Sequence, residues 1–484
     1  MNVTAGAMIF RMSSSSLPEP IVDETGEAPV ARRNLRRSGL VAELRPTLRL
    51  AWPVVAGEIG WMAMSVVDTL MVSPLGPAAI GAVGIGSNSF MAVAIFGMGL
   101  LLGLDTLVSR AFGARRLDEC HRWLLHGAVL ALLVSVPLAL VVWTMPALLE
   151  RMGVHPSVLP MATSYLRILD VGLLPLLMYA AFRRYLQGLS RTRPVGFALV
   201  SANLVNVLAN WSLIYGNLGL PALGVAGSAW ATFFSRLYMA TVLGVAIVQA
   251  ERAEPSGLWQ TPRQIDLARL QRLVALGLPA AVQLVLEIGV FAAITVLAGL
   301  LTPTSLAAHH IALNLAALVF MVPLGMSSAA AVRVGQALGR GDLLSAAHGG
   351  WAAIALVVGF LLVSSLVFAS VPHFLVSLFT RETAVIAAGV VLLRVYALYQ
   401  IFDGIQVTAT GALRGLGDTR TPLVYNLVAH WGVGLPVGYL LCFHAGAGVV
   451  GLWIGLGIGL TAVAMVLLVV WRQQLRRHST SAGT

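Results

Sequence analysis

Twelve apolar runs follow one another along this chain, and each is long enough to cross a bilayer as a helix. They lie at about 48–72, 78–109, 123–148, 159–182, 194–216 and 222–249, then at about 273–301, 303–335, 348–376, 384–412, 422–444 and 447–471. A spanning helix needs about 20 apolar residues, and in hydrocarbon only a helix or a closed barrel satisfies its own backbone. Composition closes off the alternative. Of the residues, 58% are hydrophobic and 11% charged, against about 25% charged in a soluble protein. Too little polar surface remains to wrap a large soluble core. The expected fold is an all-α polytopic membrane protein, with twelve transmembrane helices in two pseudo-symmetric six-helix lobes.

All 31 basic residues are arginine and none is lysine. A net charge of +11 would suggest nucleic acid in a soluble domain, but here the arginines sit between the apolar runs. No nucleic-acid partner is expected. Without lysine there is no Walker phosphate loop and no lysine Schiff base. The chain is therefore expected to use no ATP, to carry no cofactor and to be no enzyme. Its two cysteines, Cys120 and Cys442, lie in a charged loop and in an apolar run, which leaves neither a disulfide framework nor a CxxC metal site.

An even number of spans puts both termini on one side. The segment before Pro46 holds six arginines, the loops after runs 2, 4, 6, 8 and 10 hold 4, 4, 4, 2 and 2, and the C-terminal tail holds three. That makes 25 on one side, against Arg151 and Arg381 on the other. The asymmetry predicts a protein of the inner (cytoplasmic) membrane with both termini in the cytoplasm. The organisation expected is a disordered tail at 1–46, an N-lobe at 47–250, a linker at 251–272, a C-lobe at 273–472 and a tail at 473–484. The first segment lacks the apolar core of a signal peptide.

The halves repeat one another. LAWPV (50–54) answers LGLPA (276–280), and VSRAFGARRL (108–117) answers VGQALGRGDL (334–343), both at an offset of 226. LQGLSRTRP (186–194) answers LRGLGDTRTP (413–422) at about 227, and GVAG (224–227) answers GVVG (448–451). Six spans per repeat insert both halves the same way up, about an axis along the membrane normal. Two such halves enclose a cleft near the midplane, a geometry suited to alternating access.

Six acidic residues fall inside the runs: Glu58, Asp68, Asp105, Asp170, Glu287 and Asp403. An acid at a helix centre costs roughly 2.5–3.5 kcal/mol on insertion scales, so each needs a reason. Asp105 lies five residues before Arg110 and reads as an interfacial arginine partner; Asp170, three residues after Arg167, reads equally as half of an ion pair. Glu287 and Asp403 have no arginine at helical spacing in their own runs. An unpaired carboxyl group taken out of water favours its neutral form, so these two are the candidate ion-coupling groups. Arg394 is the nearest cross-helix partner by sequence. Tyr399 stands one turn before Asp403, placed to hydrogen-bond it. In the first half, Asn203, Asn206 and Asn210 form one stripe in SANLVNVLANWSLIYG, with Asp68 and Thr232 in the same half. Such a set is either interhelical glue or a cage of hard oxygen ligands for a proton or sodium ion. GLWIGLGIG spaces Gly451, Gly455 and Gly459 by four, for close packing within a lobe or between two copies.

At these residues the chain resembles the multidrug and toxic compound extrusion (MATE) family, from about residue 45 to the end. The carrying stretches are LAWPV with VVDTLMVSPLG, LGLDTLVSRAFGA, YLQGLSRTRP, SLAAHHIALN, MVPLGMSSAAAVRVGQALGRGD and YQIFDGIQVTATGALRGLGDTRTP. The resemblance implies antiport of organic cations against protons or sodium ions. It implies that Asp68, Asn206, Asn210 and Thr232 group in the N-lobe, and that Glu287, Tyr399 and Asp403 serve the C-lobe. Carrying both Glu287 and Asp403 is similar to the NorM-like branch. Three positions depart from the pattern: Glu58 stands where glutamine is usual, His310 replaces the glutamine of AAHQ, and Ser73–Pro74 replaces a glycine-containing loop. Glu58 adds a carboxylate, and with Asn203 it is a further candidate for the coupling site.

The expected function is multidrug efflux by a membrane antiporter of small amphipathic cations, contacting lipid and coupled to H+ or Na+. The rival is a lipid-linked precursor flippase of related fold, supported only by the midspan Arg167 and Arg394 and opposed by the mostly acidic buried charge.

Overall fold

Short polar residues and prolines mark where several helices begin. Thr302 accepts the Ser305 N–H at 3.1 Å and Pro303 follows it, where a missing N–H costs nothing. Asp266 and Asp342 cap in the same way, each accepting a backbone N–H at 2.9 Å. The structure, a computed structural model, describes residues 39–481. The expected N-terminal tail up to residue 38 lies outside the described residues, as do 482–484.

The first half comprises α1 (Leu40–Val72), α2 (Pro77–Leu100) continuing into α3 (Gly103–Gly113), α4 (Leu117–Arg151), α5 (Leu159–Val171), α6 (Leu173–Gly188), α7 (Arg193–Tyr215) and α8 (Val225–Ala253). The second comprises α9 (Leu267–Gly299), α10 (Pro303–Gly339), α11 (Leu343–Ser370), a short α12 (Pro372–Ser377), α13 (Thr383–Gly415), α14 (Arg420–Leu427), α15 (Leu435–Tyr439) and α16 (Gly448–Ser481). π-Helical stretches at Val428–Gly434 and Leu440–His444 join α14 and α15 into one span. No strand occurs among the described residues. Among the described residues, eleven helical spans are long and apolar enough to cross a membrane, and α5 with α6, bent by 45°, makes a twelfth when the pair is taken as one broken span. Pro175 follows that bend and has no N–H to donate to Val171, which breaks the span there.

Helix ends depart from the expected boundaries. α1 begins at Leu40, inside the stretch read as tail, because Glu43 is buried against Arg333 of α10. α8 and α9 reach into the linker, and α16 runs through the residues read as a C-terminal tail. The linker itself is fastened. Glu251 accepts the backbone N–H groups of Ser256, Gly257 and Leu258 at 3.0, 2.9 and 3.0 Å, and Arg269 grips Glu119 through two bonds of 2.6 and 3.0 Å.

Where the halves meet, each lends its first helix to the other. Leu50 and Ala51 of α1 belong to the core of the second half, while Leu270 and Leu273 of α9 belong to that of the first. Glycines let the backbones close up. A Cβ on Gly99 would lie 2.5 Å from Ala281 Cα, and one on Gly325 would lie 2.9 Å from Val55 Cα. These two contacts are mates under the repeat offset of 226. Gly113 and Gly339, also mates, meet each other: a Cβ on Gly339 would fall 2.9 Å from Gly113 Cα. The pseudo-twofold axis passes beside this pair. Interlobe hydrogen bonds cluster at the same arginine-rich end, with Thr106 Oγ1 donating to Arg414 O and Gln336 Nε2 donating to Gly188 O at 2.8 Å.

The glycine stripe of α16 packs inside the second half. A Cβ on Gly455 would lie 2.3 Å from Gly438 Cα, and one on Gly459 would lie 2.7 Å from Ala429 O. Both neighbours belong to the preceding span. Gly455→Ala is expected to cost about 1–3 kcal/mol through overpacking against backbone that cannot retreat. The measurement is the thermal denaturation midpoint of purified protein in detergent, and an unchanged midpoint would contradict this packing.

Candidate functional site: the chamber between the halves

Between the halves lies a cavity of about 420 Å³, walled by α1, α2 and α6 on one side and by α9, α10, α13 and α16 on the other. Its size falls within the range of small-molecule sites. The two walls use equivalent positions of the repeat with different chemistry. Trp61 faces the chamber where its mate is Glu287, Glu58 where its mate is Leu284, and Arg183 where its mate is Thr410.

The second-half wall carries the unpaired acids. Glu287 of α9 and Asp403 of α13 both line the chamber, and neither forms an ion pair among the described residues. Arg394 does not reach them. Asp403 takes its hydrogen bond from Tyr396, whose hydroxyl donates to Oδ2 at 3.4 Å. This corrects the expected partner. Tyr399 lines the chamber, but its hydroxyl has no hydrogen-bond partner among the described residues and its ring lies against Gly457 of α16. A tyrosine two turns away lies on the same helix face as one a single turn away, and packing from α16 chose between them. Trp453 lines the chamber and its Nε1 donates to His309 Nδ1 behind the wall at 3.0 Å, while His309 Nε2 meets Thr295 Oγ1 at 2.9 Å. Trp453 and Tyr396 pack edge to face at 5.9 Å. His309 is buried, whereas the unusual His310 beside it is exposed.

Asp68 sits apart, enclosed within the first half and absent from the chamber wall. Its Oδ1 accepts Nδ2 of Asn206 at 3.0 Å and of Asn210 at 2.8 Å, and its Oδ2 accepts Thr232 Oγ1 at 2.9 Å. The expected constellation is therefore assembled across α1, α7 and α8. In the same half Asn210 Oδ1 and Ser228 Oγ are buried with no hydrogen-bond partner among the described residues, oxygens of the kind a small cation takes. Asn203 does not join. Its Nδ2 donates instead to Gly60 O at 3.0 Å and to Leu199 O at 2.9 Å, gluing α7 to α1.

Three arginines that the sequence places with the loops line the chamber instead: Arg183 and Arg184 on α6, and Arg414 on α13. Each is tied to an acid. Arg183 pairs with Glu58, both buried, so Glu58 is no free coupling carboxylate. Arg184 and Arg414 lie 3.4 and 3.5 Å from Oδ2 of Asp105, which is fully buried behind the chamber floor. Asp105 thus pairs with arginines as expected, but not with Arg110, which donates to Leu416 O. Arg184 also donates to Ser328 of the second half at 2.9 Å. Asp170 forms no ion pair with Arg167, whose guanidinium lies 5.0 Å over the Trp143 ring, and Asp170 Oδ1 is buried without a hydrogen-bond partner among the described residues. Sequence reasoning missed Arg183, Arg184, Arg414 and Tyr396. The available signal was Tyr179, one turn before Arg183 on the same face, which makes α6 amphipathic beyond the apolar run.

Two matched six-helix halves around a central chamber of this kind define a multi-pass membrane transporter. The chain belongs to the MatE family, whose model matches residues 53–212 and 279–440, once in each half. It is 39% identical to the "Probable multidrug resistance protein NorM" of Mesorhizobium japonicum, over 90% of this chain and 94% of that protein. It is 36% identical to the "Multidrug resistance protein NorM" of Burkholderia vietnamiensis, over 90% and 95%. Among solved structures, the eukaryotic MATE transporter AtDTX14 shares the fold with a TM-score of 0.80 at 24% identity, covering 91% of this chain and 99% of that one.

The Asp68 cluster makes a clear prediction about stability. Asp68→Ala leaves Asn206 Nδ2 unpaired, at about 1–3 kcal/mol for a buried group without a partner. It also takes one of two partners from Asn210 Nδ2 and from the Thr232 hydroxyl, which keep Asn206 Oδ1 and Ser228 O. Asp68→Asn keeps an acceptor and is expected to cost clearly less. Thermal midpoints of the two variants in detergent check this; equal losses would show that the hydrogen bonds to Asp68 do not hold α7 and α8 to α1.

Proposed function

We propose that the chain is a multidrug efflux antiporter of the cytoplasmic membrane, exporting small amphipathic organic cations in exchange for protons or sodium ions. One observation carries the reading. Every arginine on the chamber wall is tied to a carboxylate, while Glu287 and Asp403 are not tied to any arginine among the described residues. The chamber therefore offers negative charge without a competing free cation. Trp61, Tyr179, Phe291 and Tyr399 line the same space and supply faces on which an amphipathic cation can stack. The names of the NorM relatives support a multidrug cargo.

With the arginine-rich end and both termini in the cytoplasm, the interlobe contacts close the chamber towards the cell interior. An inward-moving ion on Glu287 or Asp403 neutralises the acids, so a cationic cargo loses its electrostatic anchor and leaves outward. Cargo entering from the cytoplasm displaces the ion in turn. Each charge moved inward contributes about 2.3 kcal/mol per 100 mV. The Asp68 cluster offers a second oxygen-rich position for that ion in the first half. A pyrophosphate-headed lipid fits this chamber poorly, because it would need guanidinium groups free of acids.

Proteoliposomes test the reading with a cationic dye under an imposed proton gradient and, separately, an imposed sodium gradient. One of the two is expected to drive transport. Glu287→Gln and Asp403→Asn are each expected to lower the driven rate at least about tenfold, the scale of a lost charge–charge contact of ~1.4 kcal/mol. Transport as fast as wild type in both variants would overturn the proposal.

A further inference from the structure

The charges on the chamber wall differ in how they are held. Arg184 and Arg414 are restrained from behind by Asp105, a fully buried residue that does not face the chamber. Arg183 is held differently. Its ion-pair partner is Glu58, which lines the chamber beside it. The pair bridges α1 and α6, both side chains are buried, and Arg183 Nε makes no hydrogen bond among the described residues. The equivalent positions of the other half, Leu284 and Thr410, carry no charge, so the pair belongs to one wall alone. Tyr179, one turn before Arg183 on α6, lies beside the same guanidinium, but Glu58 is the one acid paired with Arg183 among the described residues. Whether Arg183 presents an uncompensated charge to a cargo therefore depends on the Glu58 side chain.

We propose that Glu58 is a specificity-determining residue: by masking Arg183 it closes this wall to carboxylate-bearing cargo and reserves the chamber for cations without an acid group. This rests on the cation-export reading above. An arginine binds a carboxylate through two parallel N–H···O bonds, and Glu58 occupies the guanidinium that a cargo carboxylate would otherwise take. Removing Glu58 leaves a buried guanidinium facing a chamber large enough for a ligand to replace the lost acid. The wall opposite keeps Glu287 and Asp403 for the cargo's positive group, so the unmasked chamber suits a zwitterion with its charges at opposite ends.

The test uses the full-length protein in detergent, with a cationic rhodamine ester and the zwitterionic free acid of the same dye as probes, read by fluorescence polarisation. Wild type is expected to bind the ester in preference to the acid. Glu58→Gln is expected to bind the acid about tenfold more tightly than wild type does, through the released bidentate contact. Glu58→Asp, which shortens the carboxylate and keeps its charge, is expected to gain about threefold. The double variant Glu58→Gln/Arg183→Gln should lose the gain, since no guanidinium is left to unmask. An acid affinity equal to wild type in Glu58→Gln, or in Glu58→Asp where the former does not fold, overturns the inference. So does a gain that survives in the double variant. Failure of wild type to bind the ester, with the acid gain intact, sinks the cation-export reading and leaves the mask standing.

Discussion

Hydrocarbon offers no hydrogen bonds, and the arrangement of this protein's polar groups follows from that shortage. A charge inside a spanning helix must find an opposite charge, a set of donors, or a chamber that water and cargo can enter. All three solutions occur here. Asp105 takes two arginines, Asp68 takes two asparagines and a threonine, and Glu287 and Asp403 face the chamber. The first two sets hold helices together. The third lines the chamber and is tied to no arginine among the described residues.

The halves are held by backbone proximity more than by large side chains. Gly99, Gly325, Gly113 and Gly339 admit the opposite half closely enough that a methyl group at any of them would collide. α1 and α9 each contribute to the other half's core, so any movement of one half against the other would have to slide these helices along their neighbours. Smooth glycine contacts permit such sliding where interlocked side chains would resist it. The ion pair of Arg414 with Asp105 and the hydrogen bond of Arg184 to Ser328 cross between the halves, and a separation of the halves there would have to break them, whereas Arg184 and Asp105 both belong to the first half.

Much of this was legible along the chain. The spans, their pairing into repeats and the grouping of Asp68 with Asn206, Asn210 and Thr232 all follow from hydropathy, spacing and family resemblance, and the structure assembles them. The errors share one cause. Asp170 was offered Arg167 because the two are neighbours on one helix, yet Arg167 finds the Trp143 ring on the next. Asp403 was offered Tyr399 rather than Tyr396, and Asn203 was grouped with its stripe although α1 offers it a carbonyl. In each instance packing from a neighbouring helix decided: Arg167 and Asn203 turn to groups on another helix, and α16 packs against Tyr399 and leaves Asp403 with Tyr396 of its own helix.

Glu58 and Arg183 show where the boundary falls. Sequence alone determined that acids would be buried, how many helices would bury them and which end would carry the arginines, because the cost of charge in lipid and the length of a span act on each residue locally. It left Glu58 as one more titratable acid and Arg183 as one more loop arginine, since they stand far apart along the chain. Only the tertiary structure brings α1 against α6 and turns two isolated charges into a pair. Coulombic attraction depends on distance in space, and the packing of helices sets that distance.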